Sequence, residues 1–116
     1  MLMPTTTRVF LATGSTDMRK SINGLSILIE NQFEIDPFSG HLFAFCNRRR
    51  NIVKILYWQR TGFCVWMKRL EKDRLIWPES PDAIHEIDQR QLCWLLEGLS
   101  LNQTRGHAAL HYRTLM

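Results

Sequence analysis

Nine basic residues are concentrated in the middle of the sequence, between positions 47 and 74, with only two acidic residues among them. They are Arg48, Arg49, Arg50, Lys54, Arg60, Lys68, Arg69, Lys72 and Arg74. Four aromatic residues are interleaved with them: Tyr57, Trp58, Phe63 and Trp66. Because cations neutralise phosphates and aromatic rings stack on bases, this combination favours a surface that binds nucleic acid.

A second interpretation of the same segment stays open. The charges can lie on solvated turns and on the wet face of a strand, with the aromatic rings in the core. The segment carries a net charge of +7, against +4 for the whole chain, and such a field favours a polyanion as partner. The sequence therefore predicts a basic surface without deciding what covers the aromatic rings.

Three aspartates are candidates for a catalytic magnesium site, because nucleases hold metal ions with clustered acids. Each has a local structural explanation instead: Asp17 at a helix start, Asp36 before a proline in a turn, and Asp73 in a turn rich in Lys and Arg. The histidines and cysteines lack metal-ligand spacing, and the isolated glycines exclude phosphate-loop and dinucleotide motifs. We therefore predict no catalytic residue, no metal site and no cofactor.

The elements that must position the basic residues belong to an α+β fold, a small antiparallel sheet of about four to five strands packed by an N-terminal and a C-terminal helix. The β-branched and aromatic residues predict strands at 7–12, 41–47, 52–59, 63–68 and 75–77. The three central strands form an antiparallel meander, with Gly62 taking a positive φ in its last turn. Residues 79–87 are predicted to form a surface connector.

Two helices complete the predicted fold. The first begins at a cap on Ser15 or Thr16, and its apolar residues recur at helical spacing to about Phe33. Asp88 caps the second, which covers residues 89–99 and places its leucines on one side. Each helix therefore has an apolar side with which to cover the sheet.

The chain is expected to form one globular domain at residues 1–99, followed by a tail at 100–116 that is flexible or docks on a partner. Both faces of the strand at 52–59 are largely apolar, so we expect the helices to cover one face and another chain or a ligand to cover part of the other. Self-association also fits. No apolar run is long enough to span a membrane and the N-terminus lacks a secretion signal, which favours a cytoplasmic protein.

An ordered series of strings resembles one known family. The strings are Leu11–Lys20 (LATGSTDMRK), Asn23–Leu25, Asp36–Phe43 (DPFSGHLF), Asn47–Arg49, Val53–Trp58 (VKILYW), Gly62–Phe63, Lys68–Lys72 (KRLEK) and Trp77–Pro78. They resemble the small accessory protein, called TnpB, from the second open reading frame of bacterial insertion sequences of family sixty-six. The resemblance covers about residues 8 to 99 and is more specific than any short motif. One departure is visible, because the family commonly has glycine in the turns where this chain has Arg50 and Asp73.

The resemblance implies a role in DNA transposition beside a separate, larger transposase that carries the acidic catalytic triad. The family has no established catalytic activity, so no catalytic residue is carried over. We therefore expect a noncatalytic accessory protein that binds DNA of the element ends through the basic turns at 48–50 and 68–74 and helps the transposase to assemble there. Phosphate contacts would dominate such binding.

Two other hypotheses remain. In the first, the protein is an interaction module whose exposed aromatic residues and C-terminal helix bind the transposase or another accessory protein without contacting DNA. In the second, it is a metal-dependent nuclease that uses the three aspartates, which is the least favoured reading because each aspartate has a structural explanation.

Overall fold

The structure, a computed structural model, describes residues 6–79, 82 and 84–98. Its elements in chain order are β1 (Val9–Ala12), α1 (Ile22–Leu28) with a π-helical continuation (Ile29–Phe33), β2 (Leu42–Cys46), β3 (Ile52–Gln59), β4 (Gly62–Arg69), β5 (Ile84–Ile87) and α2 (Gln89–Leu96). The predicted tail at 100–116 and the predicted last helical residue, Leu99, lie outside the described residues.

The five strands form one mixed sheet in the order β4-β3-β2-β1-β5. The predicted meander is confirmed, because β2, β3 and β4 pair antiparallel in chain order. The expectation of a purely antiparallel sheet is wrong, since β1 and β2 are parallel. The chain leaves the end of β1, forms α1 and returns to the start of β2, and a helical crossover of this kind joins strands that run in the same direction.

Two assignments after β4 are also corrected. Residues 84–87, predicted as a connector, form β5 and pair antiparallel with β1. Residues 75–77, predicted as a strand, pair with no strand. Leu75 and Trp77 are buried while Ile76 is exposed, and the Trp77 indole Nε1 donates to the Ala12 carbonyl at 2.7 Å. The alternation in this segment therefore reports burial against the sheet rather than strand pairing.

The sheet buries both of its faces, and each helix covers a different one. Leu25 and Ile29 pack with Leu56 on one side, which we call the α1 face. Leu92 and Leu95 pack on the other side, the α2 face, together with the segment that contains Leu75 and Trp77. The expectation that both helices cover the same face is therefore wrong, although both faces are apolar as the sequence indicated.

The predicted start of the first helix is wrong, and that of the second is correct. The first helix has Ser21, rather than Ser15 or Thr16, at its N-cap position, and the Ser21 side chain makes no capping hydrogen bond. The Thr16 N–H donates to the Cys46 carbonyl at 2.8 Å, so the chain around it is held against the end of β2 instead of entering a helix. The second helix has the predicted cap, since the Asp88 carboxylate accepts from the Gln91 N–H and the Gln91 side chain accepts from the Asp88 N–H.

Both helices are short. Among the described residues, none has the length and apolar content that crossing a membrane requires.

Among the described residues, four that are not glycine take positive φ: Glu34, Arg50, Arg60 and Asp73. Arg50 and Asp73 take the left-handed conformation that glycine adopts without steric cost, in the turns where the resembling family commonly has glycine. In the β3–β4 hairpin Gln59 pairs with Gly62, which leaves a loop of Arg60 and Thr61 alone. Arg60 therefore takes the positive φ that was predicted for Gly62, which already belongs to β4.

Glu34 provides a test of the stored backbone strain, because it follows the π-helical turn with φ +55° and is exposed. The left-handed conformation costs a residue with a Cβ roughly 1–2 kcal/mol. Glycine avoids this cost, but part of the gain is cancelled because its unfolded chain has more conformational freedom to lose. We expect Glu34→Gly to raise the free energy of unfolding by about 0.5–1 kcal/mol, measured by urea denaturation. The control Glu30→Gly removes an exposed carboxylate inside the same helical segment and should lower the free energy of unfolding by about 1 kcal/mol. Equal effects of the two variants would contradict this account.

Candidate nucleic-acid interface

Three separate loops meet at one end of the sheet. The Leu70 N–H donates to the Asn51 carbonyl at 2.7 Å and the Leu75 N–H to the Arg50 carbonyl at 2.6 Å, so the β2–β3 turn lies against the chain that follows β4. The bond from Thr16 to the Cys46 carbonyl brings in the loop after β1. We call this surface, formed by residues 13–21, 47–51 and 70–79, the basic end.

The β2–β3 turn is closed by its own asparagines. The Asn47 Oδ1 accepts from the N–H groups of Asn51 and Ile52, both at 3.0 Å, and the Asn47 amide donates to the Asn51 Oδ1 at 2.7 Å. Asparagine side chains commonly close turns in this way. As a result the turn needs no contact from Arg48 or Arg49, which both extend into solvent.

Arg50, although it is next to them, belongs to the structure of the protein. Its guanidinium donates to the Gly14 carbonyl at 2.8 Å and pairs with the Glu79 carboxylate at 2.9 Å, and its side chain is only 18% exposed. These bonds tie the turn to the loop after β1 and to the segment before β5. Arg50 was predicted to contact nucleic acid, and in the structure its guanidinium has these two partners within the protein.

Three more of the predicted basic residues have partners inside the protein. The Lys54 ammonium donates to the carbonyls of Met18 and Lys20 at 2.8 and 3.1 Å, which anchors the loop before α1. The Lys68 ammonium donates at 3.0 Å to the Leu96 carbonyl, the last residue of α2, where a cation stabilises the helix terminus. Arg69 forms an exposed ion pair with Glu71, which raises the pKa of Arg69.

Four of the nine predicted residues remain available at the basic end: Arg48, Arg49, Lys72 and Arg74. All four side chains are exposed, and none forms a hydrogen bond or ion pair with any residue that the structure describes. Arg60 is exposed as well, but it lies in the β3–β4 hairpin at the other end of β3. The eight residues of that strand separate the two ends by about 25 Å.

The basic end also contains cations that sequence reasoning did not select. Arg19 and Lys20 lie in the loop after β1. Because β1 and β2 are parallel, the end of β1 lies beside the end of β2, and this loop therefore lies beside the β2–β3 turn. Hydrogen bonds from Arg19 lower the pKa of Asp17 to about 2, so this carboxylate is charged at neutral pH. The parallel pairing was the missing signal, because the expected antiparallel sheet gave no reason to place this loop beside the β2–β3 turn.

The charge balance of the basic end is positive. Its three loops contain seven Lys or Arg residues and four acidic residues. Three of the acids, Asp17, Glu71 and Glu79, are already in ion pairs with arginines. The field of the remaining cations is therefore only weakly opposed.

The aromatic residues do not line this surface. Tyr57 and Trp66 pack against the core on the α2 face. Trp58, Phe63 and Phe38 contact one another near the β3–β4 hairpin, with ring centroids 4.9 to 5.1 Å apart. The predicted combination of stacking rings and phosphate-binding cations is thus divided between the two ends of the sheet.

The three candidate aspartates are divided in the same way. Asp17 and Asp73 lie at the basic end, whereas the Asp36 carboxylate accepts from the Phe38 N–H at 2.9 Å close to the aromatic cluster. In the part of the chain that the structure describes, no group of three or more His, Cys, Asp or Glu residues could hold a metal ion.

Comparisons with known proteins place this architecture in context. A family model described as IS66 Orf2 like protein matches residues 7–106, so the match continues beyond residue 99. "Uncharacterized protein y4hO" of Sinorhizobium fredii is 34% identical over 92 residues, which cover 79% of this chain and 80% of the relative. "Uncharacterized protein y4jC" of the same organism is 28% identical over 98 residues, 84% of each chain. No solved structure matches the chain.

The different roles of Arg49 and Arg50 predict different effects of their substitution on the free energy of unfolding. We expect Arg50→Ala to lower the free energy of unfolding by about 1–3 kcal/mol, mainly through the lost bond to the Gly14 carbonyl, because Glu79 is largely exposed and its pair contributes little. Alanine keeps the Cβ, so the strain at φ +62° is unchanged. Arg49→Ala, the matched control, should change stability by less than about 0.5 kcal/mol. Similar losses for both variants in urea denaturation would refute the assignment.

Proposed function

The chain belongs to the family of IS66 Orf2 like proteins, which implies an accessory role in transposition, and we propose that it performs this role by binding the phosphate backbone of DNA at its basic end. Arg48, Arg49, Lys72 and Arg74 make the contacts. The protein acts in the cytoplasm and helps a separate transposase, which performs the chemistry, to assemble on the element ends.

One observation carries the proposal. The backbone bonds from Leu70 and Leu75 to the β2–β3 turn bring together four exposed cations from two loops, none with a partner among the described residues. A cation without a protein partner can neutralise a DNA phosphate, and release of the counterions condensed on the DNA then favours binding. The cations that do have partners, such as Arg50 and Lys68, stabilise the fold that holds the basic end in place.

The geometry favours phosphate contacts over the reading of base sequence. Sequence-specific proteins commonly insert a helix or a two-stranded ribbon into the major groove. Here α1 and α2 lie on the faces of the sheet with their apolar sides buried, through Leu25 and Ile29 in one and Leu92 and Leu95 in the other. The basic end consists of turns and loops, so the proposal includes little preference for sequence.

The proposal also contains no catalytic step by this protein. The carboxylate of Asp17 is held by Arg19, and Asp36 is at the other end of the sheet from Asp17 and Asp73. A metal site of the nuclease type needs its acids close together. This separation supports an accessory role and makes the nuclease hypothesis the less favoured one.

The alternative proposal is an interaction module that binds the transposase without contacting DNA. The form of it that uses the C-terminal helix is less favoured, because Leu92 and Leu95, the two buried leucines of α2, already pack against the sheet. Binding to DNA is the reading that uses the exposed cations.

The salt dependence of DNA binding tests the proposal. Four phosphate contacts predict a slope of log affinity against log salt of roughly −3.6, at about −0.9 for each contact. We expect Arg49→Gln to make this slope shallower by about one unit and the double variant Arg48→Gln, Arg49→Gln by about two, measured by fluorescence anisotropy on duplex DNA. The matched control is Arg60→Gln, an exposed arginine of the opposite end, which should leave the slope unchanged. Binding that ignores salt, or equal losses at positions 49 and 60, would rule out this surface.

A further inference from the structure

The strand β4 has an exposed edge. In the described sheet it pairs only with β3, so the outer backbone groups of Gly62–Arg69 have no strand partner among the described residues. Its side chains on the α1 face include Val65 and Met67, which are 38% and 57% exposed. Proteins usually protect such an edge with proline, inward charges or a covering segment, and an exposed apolar edge is open to pairing with another strand.

We propose that β4 pairs antiparallel with β4 of a second copy of this chain, about a twofold axis that passes beside Trp66. Opposed residues in an antiparallel pair point to the same face of the sheet. A twofold axis between two copies of β4 therefore opposes odd-numbered residues with odd-numbered ones and even with even. Only a few registers satisfy this condition and keep most of the strand paired.

The register centred on Trp66 uses the strand's exposed apolar side chains best. It places Val65 of each copy opposite Met67 of the other, so the four exposed apolar side chains cover one another at the axis. The register centred on position 65 opposes Met67 with Phe63, which already packs against the core of its own copy. The register centred on position 67 opposes Val65 with Arg69.

The charges of β4 also agree with a second copy as the occupant. Residues 62–67 carry no charge, and the two cations, Lys68 and Arg69, stand at the C-terminal end. In the register centred on Trp66 these cations lie opposite Cys64 and Phe63, so no like charges are opposed, and Arg69 meets an aromatic ring. The uncharged part of the strand, residues 62–67, favours an equally uncharged partner, which the same part of a second β4 supplies.

The pairing has a geometric consequence that rests on the proposed function. Because β4 ends at the basic end, antiparallel pairing directs the two basic ends of the dimer away from each other. One dimer then presents two phosphate-binding surfaces to two separate duplexes. The association itself is measured without DNA, so a failure of the dimer and a failure of DNA binding are distinguishable results.

Analytical ultracentrifugation of the full chain over a range of concentrations tests the association. We expect the wild type to pass from monomer to dimer as concentration rises, and Met67→Glu to remain monomeric because its carboxylate would lie opposite an apolar side chain. The matched control is Ile76→Glu, an equally exposed apolar residue (50%) outside β4, which should dimerise like the wild type. Circular dichroism verifies that each variant is folded. A wild type that is monomeric at every concentration, or equal loss of dimer in both variants, overturns the proposal.

Disulfide trapping tests the register. In a chain with Cys64→Ser and Cys93→Ser, the variants Val65→Cys and Met67→Cys are oxidised separately and as a mixture. Directly opposed residues have Cβ atoms close enough for a disulfide, whereas residues two positions out of register do not. We expect a cross-linked dimer on a non-reducing gel from the mixture and little from either variant alone. Efficient cross-linking of one variant with itself would refute this register, and no cross-linking in any sample would refute the strand pairing.

Discussion

The parallel pairing of β1 with β2 is the constraint on which the rest of this protein depends. It places the C-terminal ends of both strands at the same end of the sheet, so the loop after β1 lies beside the β2–β3 turn. There the Thr16 N–H donates to the Cys46 carbonyl and the Arg50 guanidinium to the Gly14 carbonyl. Parallel strands need both faces covered because their side chains are apolar on both sides. The two helices therefore pack on opposite faces, and the loops are left to form the ends of the molecule.

This arrangement gives different roles to chemically similar residues. Lys54 and Lys68 extend from the sheet, one on each face, and donate to backbone carbonyls of the loop before α1 and of the end of α2. Arg48 and Arg49 stand in a turn that closes through its own asparagines, so their charge is free for an external phosphate. The position of a cation relative to backbone carbonyls and carboxylates, and not its residue type, decides whether it stabilises the fold or faces solvent.

The proposed contacts with DNA and with a second copy use different parts of the sheet. The proposed phosphate binding uses the loops at the end of the strands, whereas the proposed self-association uses the outer edge of β4 in the described sheet and its apolar residues Val65 and Met67. None of the four residues proposed to contact phosphate lies in β4. A dimer formed through β4 therefore leaves both basic ends open to DNA.

Features that depend on neighbours in the chain were determined by the sequence alone. The central meander and the Asp88 cap of α2 follow from short-range hydrogen bonds and from side-chain period, and the family followed from ordered strings. The tertiary structure decided the direction of β1 relative to β2, the pairing of β5, and which cations have partners. Most of these depend on contacts between residues far apart in the chain, such as Arg50 with Gly14 at 36 positions and Lys68 with Leu96 at 28, whose geometry no local pattern encodes.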